Sequence, residues 1–239
     1  MVSKEIIIKT LDNIIQEKHG AYFTRIRHTL KQVTDTKEEY ETLRDDIFKF
    51  YLETRHRKTE RLIMKTTDGK FFDTSDNDAD SVYYTDEMKD ATDILYTGHN
   101  HPLPNGDSCV QSSNDLYSQV LQLSKYAWTI GKDGLMITKL DYGGNSPSES
   151  EVIMEHNKLI KKHYDTFLKE YDKQLQPLKE KYPNWDNPTR LDSDYFQQDA
   201  VPYLQSYLCK HSQEFINELK NNYKKRHIGV KCYYAKSGR

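Results

Sequence analysis

The sequence predicts an α+β fold: a mixed β-sheet with packed helices, flanked by helical regions at both ends. Three observations carry that prediction. Apolar residues recur at helical spacing near both termini. Between residues 59 and 140 they fall instead into short runs of strand length, separated by Gly, Asn, Asp and Pro. Hydrophobic residues make up only 36% of the chain while tyrosines number 18, so amphipathic aromatics must supply much of the burial. A length of 239 residues suits one core of ordinary size with accessory elements. The expected division is 1–58 as an N-terminal helical region, 59–142 as the sheet-bearing core, and 148–239 as a C-terminal helical region with a terminal strand.

In chain order, Ile7, Ile8, Leu11, Ile14 and Ile15 predict a helix from residue 2 to about 18. Thr36-Lys37-Glu38-Glu39 has the form of a capping box, in which the threonine hydroxyl and the glutamate satisfy each other's free backbone N–H groups. It opens a helix whose apolar stripe is Tyr40, Leu43, Ile47, Phe50 and Tyr51. That helix ends near Arg55-His56-Arg57, where cations suit the negative end of the helix dipole. Residues 61–66, the Asp68-Gly69 turn and 70–72 predict a β-hairpin. Residues 81–84 are a further strand candidate, 85–91 a short helix, and 93–97 an apolar strand that delivers His99.

Pro104, Asn105 and Gly106 break any continuation of that strand, and Ser112 or Ser113 can cap a helix running to about residue 125. Strands at 126–130 and 135–138 follow, joined through Gly131-Lys132-Asp133-Gly134. Residues 143–147, rich in Gly, Asn and Ser, mark a boundary. Ile153, Ile160, Tyr164, Phe167, Leu168, Tyr171, Leu175 and Leu178 then predict one long amphipathic helix. After Pro183 and Pro188, Val201, Leu204, Leu208, Phe215 and Leu219 predict another, with Pro202 near its first turn. The two helices are expected to pair as an α-hairpin, and 228–234 alternates like an edge strand.

The formal net charge of -2 gives no broad electrostatic reason to expect nucleic acid or an anionic membrane as partner. Cys109, Cys209 and Cys232 are too few and too scattered for a disulfide framework, which points to a reducing compartment. The apolar run Ile6-Ile7-Ile8 is too short for a signal-peptide core, and no later stretch approaches a membrane span. A cytoplasmic setting is the expectation.

The chemistry concentrates in His99-Asn100-His101-Pro102 and Ser112-Ser113-Asn114-Asp115. Side chains alternate along a strand, so two histidines separated by one residue point to the same side and can reach one ion. Two imidazole nitrogens and one carboxylate oxygen make three protein ligands. The fourth tetrahedral position then stays open, which distinguishes catalytic zinc from closed structural zinc.

Glu60 ahead of an apolar strand, then His99-Asn100-His101-Pro102, then Ser112-x-x-Asp115, together resemble the JAMM motif of the JAB/MPN metalloprotease family. In cadence they look most like the JAB domains of prokaryotic and phage-associated proteins. The resemblance covers about residues 59–140 and implies a cytidine-deaminase-like core. It implies Zn2+ held by His99, His101 and Asp115, with Glu60 as general base and Ser112 as donor to the oxyanion. The activity implied is that of a zinc-dependent peptidase or isopeptidase acting on an extended peptide or a ubiquitin-like tail. Two other expectations attach to the same resemblance. One is an accessory or assembly protein of a phage or mobile element, and the other a nucleic-acid-linked role like that of RadC-type relatives, against which the balanced charge counts.

Glu53 and Glu87 are rival positions for the base; Glu60 is preferred because it abuts the strand expected beside the histidine strand. The nine residues 103–111 exceed the family's usual spacing, so Ser113 stands beside Ser112 as a candidate donor. Cys109 lies in that longer loop and reads as a small packed residue or, less simply, as a thiolate near the metal. His156 and His163 share a helical face and read as solvated or interhelical contacts. The 76–80 run has the composition of a calcium loop but lacks the glycine and terminal glutamate of an EF-hand. Lys210-His211 and 224–227 read as helix-end cations, and Trp128 as core.

Overall fold

The fold is α+β, with one mixed six-stranded sheet and helices on both of its faces. The computed structural model describes residues 20–74, 82–102, 106–141 and 147–237. The helix expected from residue 2 to 18 and the calcium-like run at 76–80 lie outside them, as does most of the boundary expected at 143–147.

A first helix, α1, spans residues 20–33 and had no counterpart in the sequence reading, although Tyr22, Phe23, Ile26, Leu30 and Val33 form its buried stripe. The predicted capping box is present: Thr36 accepts from the Glu39 N–H, Glu39 accepts from the Thr36 N–H, and α2 runs over Lys37–Thr54. Strands β1 (Leu62–Thr66) and β2 (Phe71–Thr74) form the hairpin. Residues 82–84 are not a strand: β1 and β3 (Ile94–Asn100) already have both edges paired, so no ladder is open to them there. A single turn, α3 (Asp86–Lys89), precedes β3, which runs three residues further than predicted and so includes His99.

Helix α4 (Ser113–Leu121) returns the chain to β4 (Tyr126–Ile130), which lies parallel to β3. It stops short of residue 125 because Leu123 adopts a left-handed φ of 52° and the Ser124 N–H bonds the Gln119 carbonyl. Strand β5 (Gly134–Leu140) is antiparallel to β4. The predicted long helix is two, α5 (Glu149–Glu170) and α6 (Asp172–Lys181), broken at Tyr171, whose backbone leaves helical geometry. Helix α7 (Leu191–Lys225) begins about ten residues earlier than the sequence implied, so Pro202 lies in its interior rather than its first turn. Strand β6 (Val230–Lys236) completes the sheet in the order β2-β1-β3-β4-β5-β6.

Alternation along the strands sorts the core into two layers. On one face Tyr126, Trp128, Ile130, Leu135 and Ile137 pack with Phe23, Ile26, Leu30, Leu43, Ile47 and Phe50 of α1 and α2. On the other, Met136, Leu140 and Cys232 pack against α4, α5 and α7 through Leu116, Val152, Phe215 and Leu219. Helices α5 and α7 run antiparallel, as three successive contacts show: Tyr223 to Val152, Phe215 to His156, and Tyr207 to His163.

Gly98, at the centre of β3, gives room to the core. A Cβ there would lie 2.1 Å from the Trp128 ring, so only glycine lets the indole cross the strand. Gly98→Ala is expected to destabilise the fold by about 2–3 kcal/mol through overpacking and to lower the melting temperature by about 5–10 °C. A melt superimposable on wild type would contradict this packing.

Candidate metal centre

His99 lies on the face of β3 that looks toward α4, and His101 follows one residue past the strand's end. Their Nε2 atoms are 3.2 Å apart, and the His99 Nε2 is 3.5 Å from Asp115 Oδ1. The two imidazole nitrogens and the carboxylate all lie within 4.8 Å of one another, the one such group among the described residues. Ligands on a tetrahedral zinc, with bonds of about 2.0–2.1 Å, sit roughly 3.3 Å from each other. The His99–His101 and His99–Asp115 spacings of 3.2 and 3.5 Å match that edge length, and the third side of the triangle stays within 4.8 Å.

Local hydrogen bonds orient two of the three candidate ligands, His101 and Asp115. His101 Nδ1 donates to the Ser108 carbonyl at 2.5 Å, which in the neutral ring leaves Nε2 as a lone pair facing His99. Thr129, beside His99 in the β3–β4 ladder, places its hydroxyl almost equally far from both ring nitrogens, 3.5 Å from Nδ1 and 3.4 Å from Nε2, and so packs against the ring without selecting its tautomer. Asp115 sits in a capping box at the start of α4: its Oδ2 accepts the Ser112 N–H at 2.7 Å while its own N–H donates to Ser112 Oγ at 3.2 Å. The second carboxylate oxygen is thereby directed at His99.

The Ser108 carbonyl is itself held. The Ser108 N–H donates to Gln205 of α7 at 2.9 Å, and the Ser108 hydroxyl and Cys109 N–H donate to the buried Asp133 carboxylate at 3.1 and 2.7 Å. Asp133 lies in the turn between β4 and β5, so two distant elements fix the segment that orients His101.

Burial opposes a charge on His99 more than Asp115 favours one, and lowers its pKa from 6.5 to about 4. The ring is therefore neutral at pH 7, the form that ligates metal. For Asp115, burial favours protonation, but His99, His101 and the Ser112 hydrogen bonds outweigh it and hold the carboxyl below its ordinary value. A neutral His99 and an ionised Asp115 are donors of the kind zinc takes.

A stability consequence follows for the metal-free chain. Between pH 6.5 and about 4 the unfolded His99 carries a proton that the folded ring does not, so the unfolded state binds more protons there. Stability is expected to fall as the pH is lowered through that window, by on the order of 3 kcal/mol from this group. Thermal melts of chelator-treated protein across the window measure it. A flat profile would refute the buried neutral imidazole.

Glu60 is buried, 7% exposed, immediately before β1, and its Oε1 lies 4.0 Å from His101 Nε2. The rivals fall elsewhere: Glu53 pairs with Arg61 at 2.7 Å, and Glu87 is exposed on α3. Ser112 is exposed as the N-cap of α4, whereas Ser113 is the first residue of the helix proper. Cys109 is fully buried, directs its thiol toward Asp133 at 3.6 Å, and is pushed up in pKa by burial; it does not join the metal-ligating group. His156 and His163 are buried between α5 and α7, bonded to the Gln111 carbonyl and the Tyr207 hydroxyl, and so are interhelical rather than solvated.

Sequence reasoning passed over Tyr84, Asn100, Ser108, Thr129, Asp133 and Gln205. Tyr84 bonds Thr97 and lies near enough to Asp115 for that carboxylate to raise its phenol, after burial has done so. Among the described residues no helix is long and apolar enough to cross a membrane.

No protein-family model matches this chain, and no curated protein or solved structure matches it either. The geometry of the site therefore stands on its own.

Proposed function

We propose that the chain is a zinc-dependent metallohydrolase of the JAMM type that cleaves a peptide or isopeptide bond. The observation that carries this reading is the convergence of His99, His101 and Asp115, whose donor atoms lie within 4.8 Å of one another, with the Glu60 carboxylate 4.0 Å from His101. Zinc bound there would polarise a carbonyl and bring the pKa of a water to about 7. Glu60 then takes a proton from the attacking water and delivers it to the leaving amine, one carboxylate serving in turn as base and acid. Ser112, exposed at the N-cap of α4, would donate its hydroxyl proton to the developing oxyanion while its oxygen keeps accepting the Asp115 N–H. No side chain of the chain needs to act as nucleophile.

An extended chain is the substrate proposed. An extended peptide exposes its backbone carbonyls and can be held by main-chain hydrogen bonds. A ubiquitin-like tail joined to lysine is the form of amide proposed. The three cysteines are free thiols, in keeping with a cytoplasmic setting.

A panel of ubiquitin-like fusions and isopeptide conjugates, incubated with zinc-loaded and chelator-treated protein, tests the reading. Cleavage that chelation abolishes and zinc restores supports it. Zinc bound with no turnover of any conjugate would favour the accessory role of a mobile element instead.

A further inference from the structure

Asn100 stands between the two histidines but points away from them, and its side chain is fully buried. Its Oδ1 accepts the Arg61 N–H at 2.9 Å and its Nδ2 donates to the Thr59 carbonyl at 3.2 Å. Those backbone groups flank Glu60 on either side. The Asn100 N–H also donates to the Arg61 carbonyl at 3.3 Å, so the main chain of the residue joins the same bracket.

The chemistry of the bracket is specific. Strand β1 begins only at Leu62, which pairs with His99, so the backbone before it has left the regular ladder. An asparagine side chain presents a donor and an acceptor in one plane, as a peptide group does, and supplies the missing rung. Leucine offers neither and an ionised aspartate only the acceptor, while a serine hydroxyl carries both on one oxygen and is too short to span the two partners. Without it, one buried-side N–H and one carbonyl would lose their partners, each at a real cost in free energy.

We infer that Asn100 is a positioning residue for Glu60, fixing the carboxylate against His101 by bracketing the peptide units on both sides of it. This rests on the metallohydrolase reading, in which Glu60 is the base. The middle residue of the His-Asn-His run thus serves the proton-transfer group, while its neighbours serve the metal.

Two measurements on the full chain test the inference. In chelator-treated protein, amide exchange followed by NMR should show the Arg61 N–H protected in wild type, and Asn100→Ala should speed its exchange at least about tenfold as the partner is lost. Zinc affinity, from competition with a chromophoric chelator, forms a double-mutant cycle. Asn100→Ala and Glu60→Gln should each weaken zinc by about tenfold, the size expected for an outer-shell change. In the Glu60→Gln background, Asn100→Ala should add less than about twofold, because its effect passes through Glu60. Additive losses, a zinc affinity indifferent to both changes, or unaltered exchange at Arg61 would each overturn the inference. Should Asn100→Ala fail to fold, Asn100→Ser, which keeps a small polar group but cannot span both partners, takes its place. A wild-type chain that binds no zinc would instead overturn the metallohydrolase reading, and exchange at Arg61 would still decide the bracket.

Discussion

His101→Ala is expected to remove zinc from the protein while leaving it folded. Of the three donors, His101 is the one whose loss disturbs the scaffold least, because it lies beyond the last residue of β3 and is only partly buried. Its backbone N–H bonds the Ile130 carbonyl at 2.8 Å, a contact alanine keeps. The change deletes the nitrogen that faces His99 and the Nδ1 bond to Ser108 together. Removing an outer-shell partner alone costs 10–100-fold in metal affinity, so losing a direct ligand should exceed about 100-fold. Elemental analysis after dialysis should fall from about one zinc per chain to background, with the far-ultraviolet spectrum and melting transition retained. Metal content unchanged by this substitution would dismantle the site.

Glu60→Gln should divide the site differently. Glutamine keeps the shape of the side chain, and the Asn100 bracket acts on the flanking backbone, so the residue stays in place. The three donors are untouched and zinc remains. What disappears is the capacity to accept a proton, and the rate of hydrolysis should fall by about 10²–10⁴-fold, the range for general acid–base catalysis. The rate is measured on whichever conjugate the wild-type protein cleaves, at saturating zinc, with metal content assayed in the same samples. Undiminished turnover in a zinc-replete variant would exclude Glu60 as the base.

Features encoded by neighbouring residues were the ones the sequence made plain. The Thr36 capping box, the Tyr126–Ile130 strand and the Ser112 cap each announce themselves within a few positions, and each appears where expected. The meeting of His99 with His101 follows from strand alternation, and that of Asp115 with both from a helix starting beside the strand's end. Contacts set by the tertiary fold left no such trace. The acceptor for His101 is a backbone carbonyl, which any residue type at position 108 would supply. Gln205 is 97 residues from the atom it holds, and nothing in the composition of α7 marks it. The breaks at Tyr171 and Leu123 are backbone excursions in residues that favour helices poorly or not at all differently from their neighbours. Helix α1 is the exception, since its stripe of Tyr22, Phe23, Ile26, Leu30 and Val33 is written in local apolar spacing.

The last strand of the sheet bears on how the protein is made. Tyr234 of β6 donates its hydroxyl to the Asp133 carbonyl, and Gln205 of α7 secures Ser108, so the surroundings of His101 draw on residues translated long after it. A nascent chain emerges from the ribosome at about 5–20 residues per second, and pairings so far apart in sequence form slowly even once both partners are present. During synthesis His99 and His101 exist for several seconds without the elements that orient them. A zinc ion held there, as proposed, would find its ligands fully oriented only after the carboxyl-terminal half has closed on the sheet.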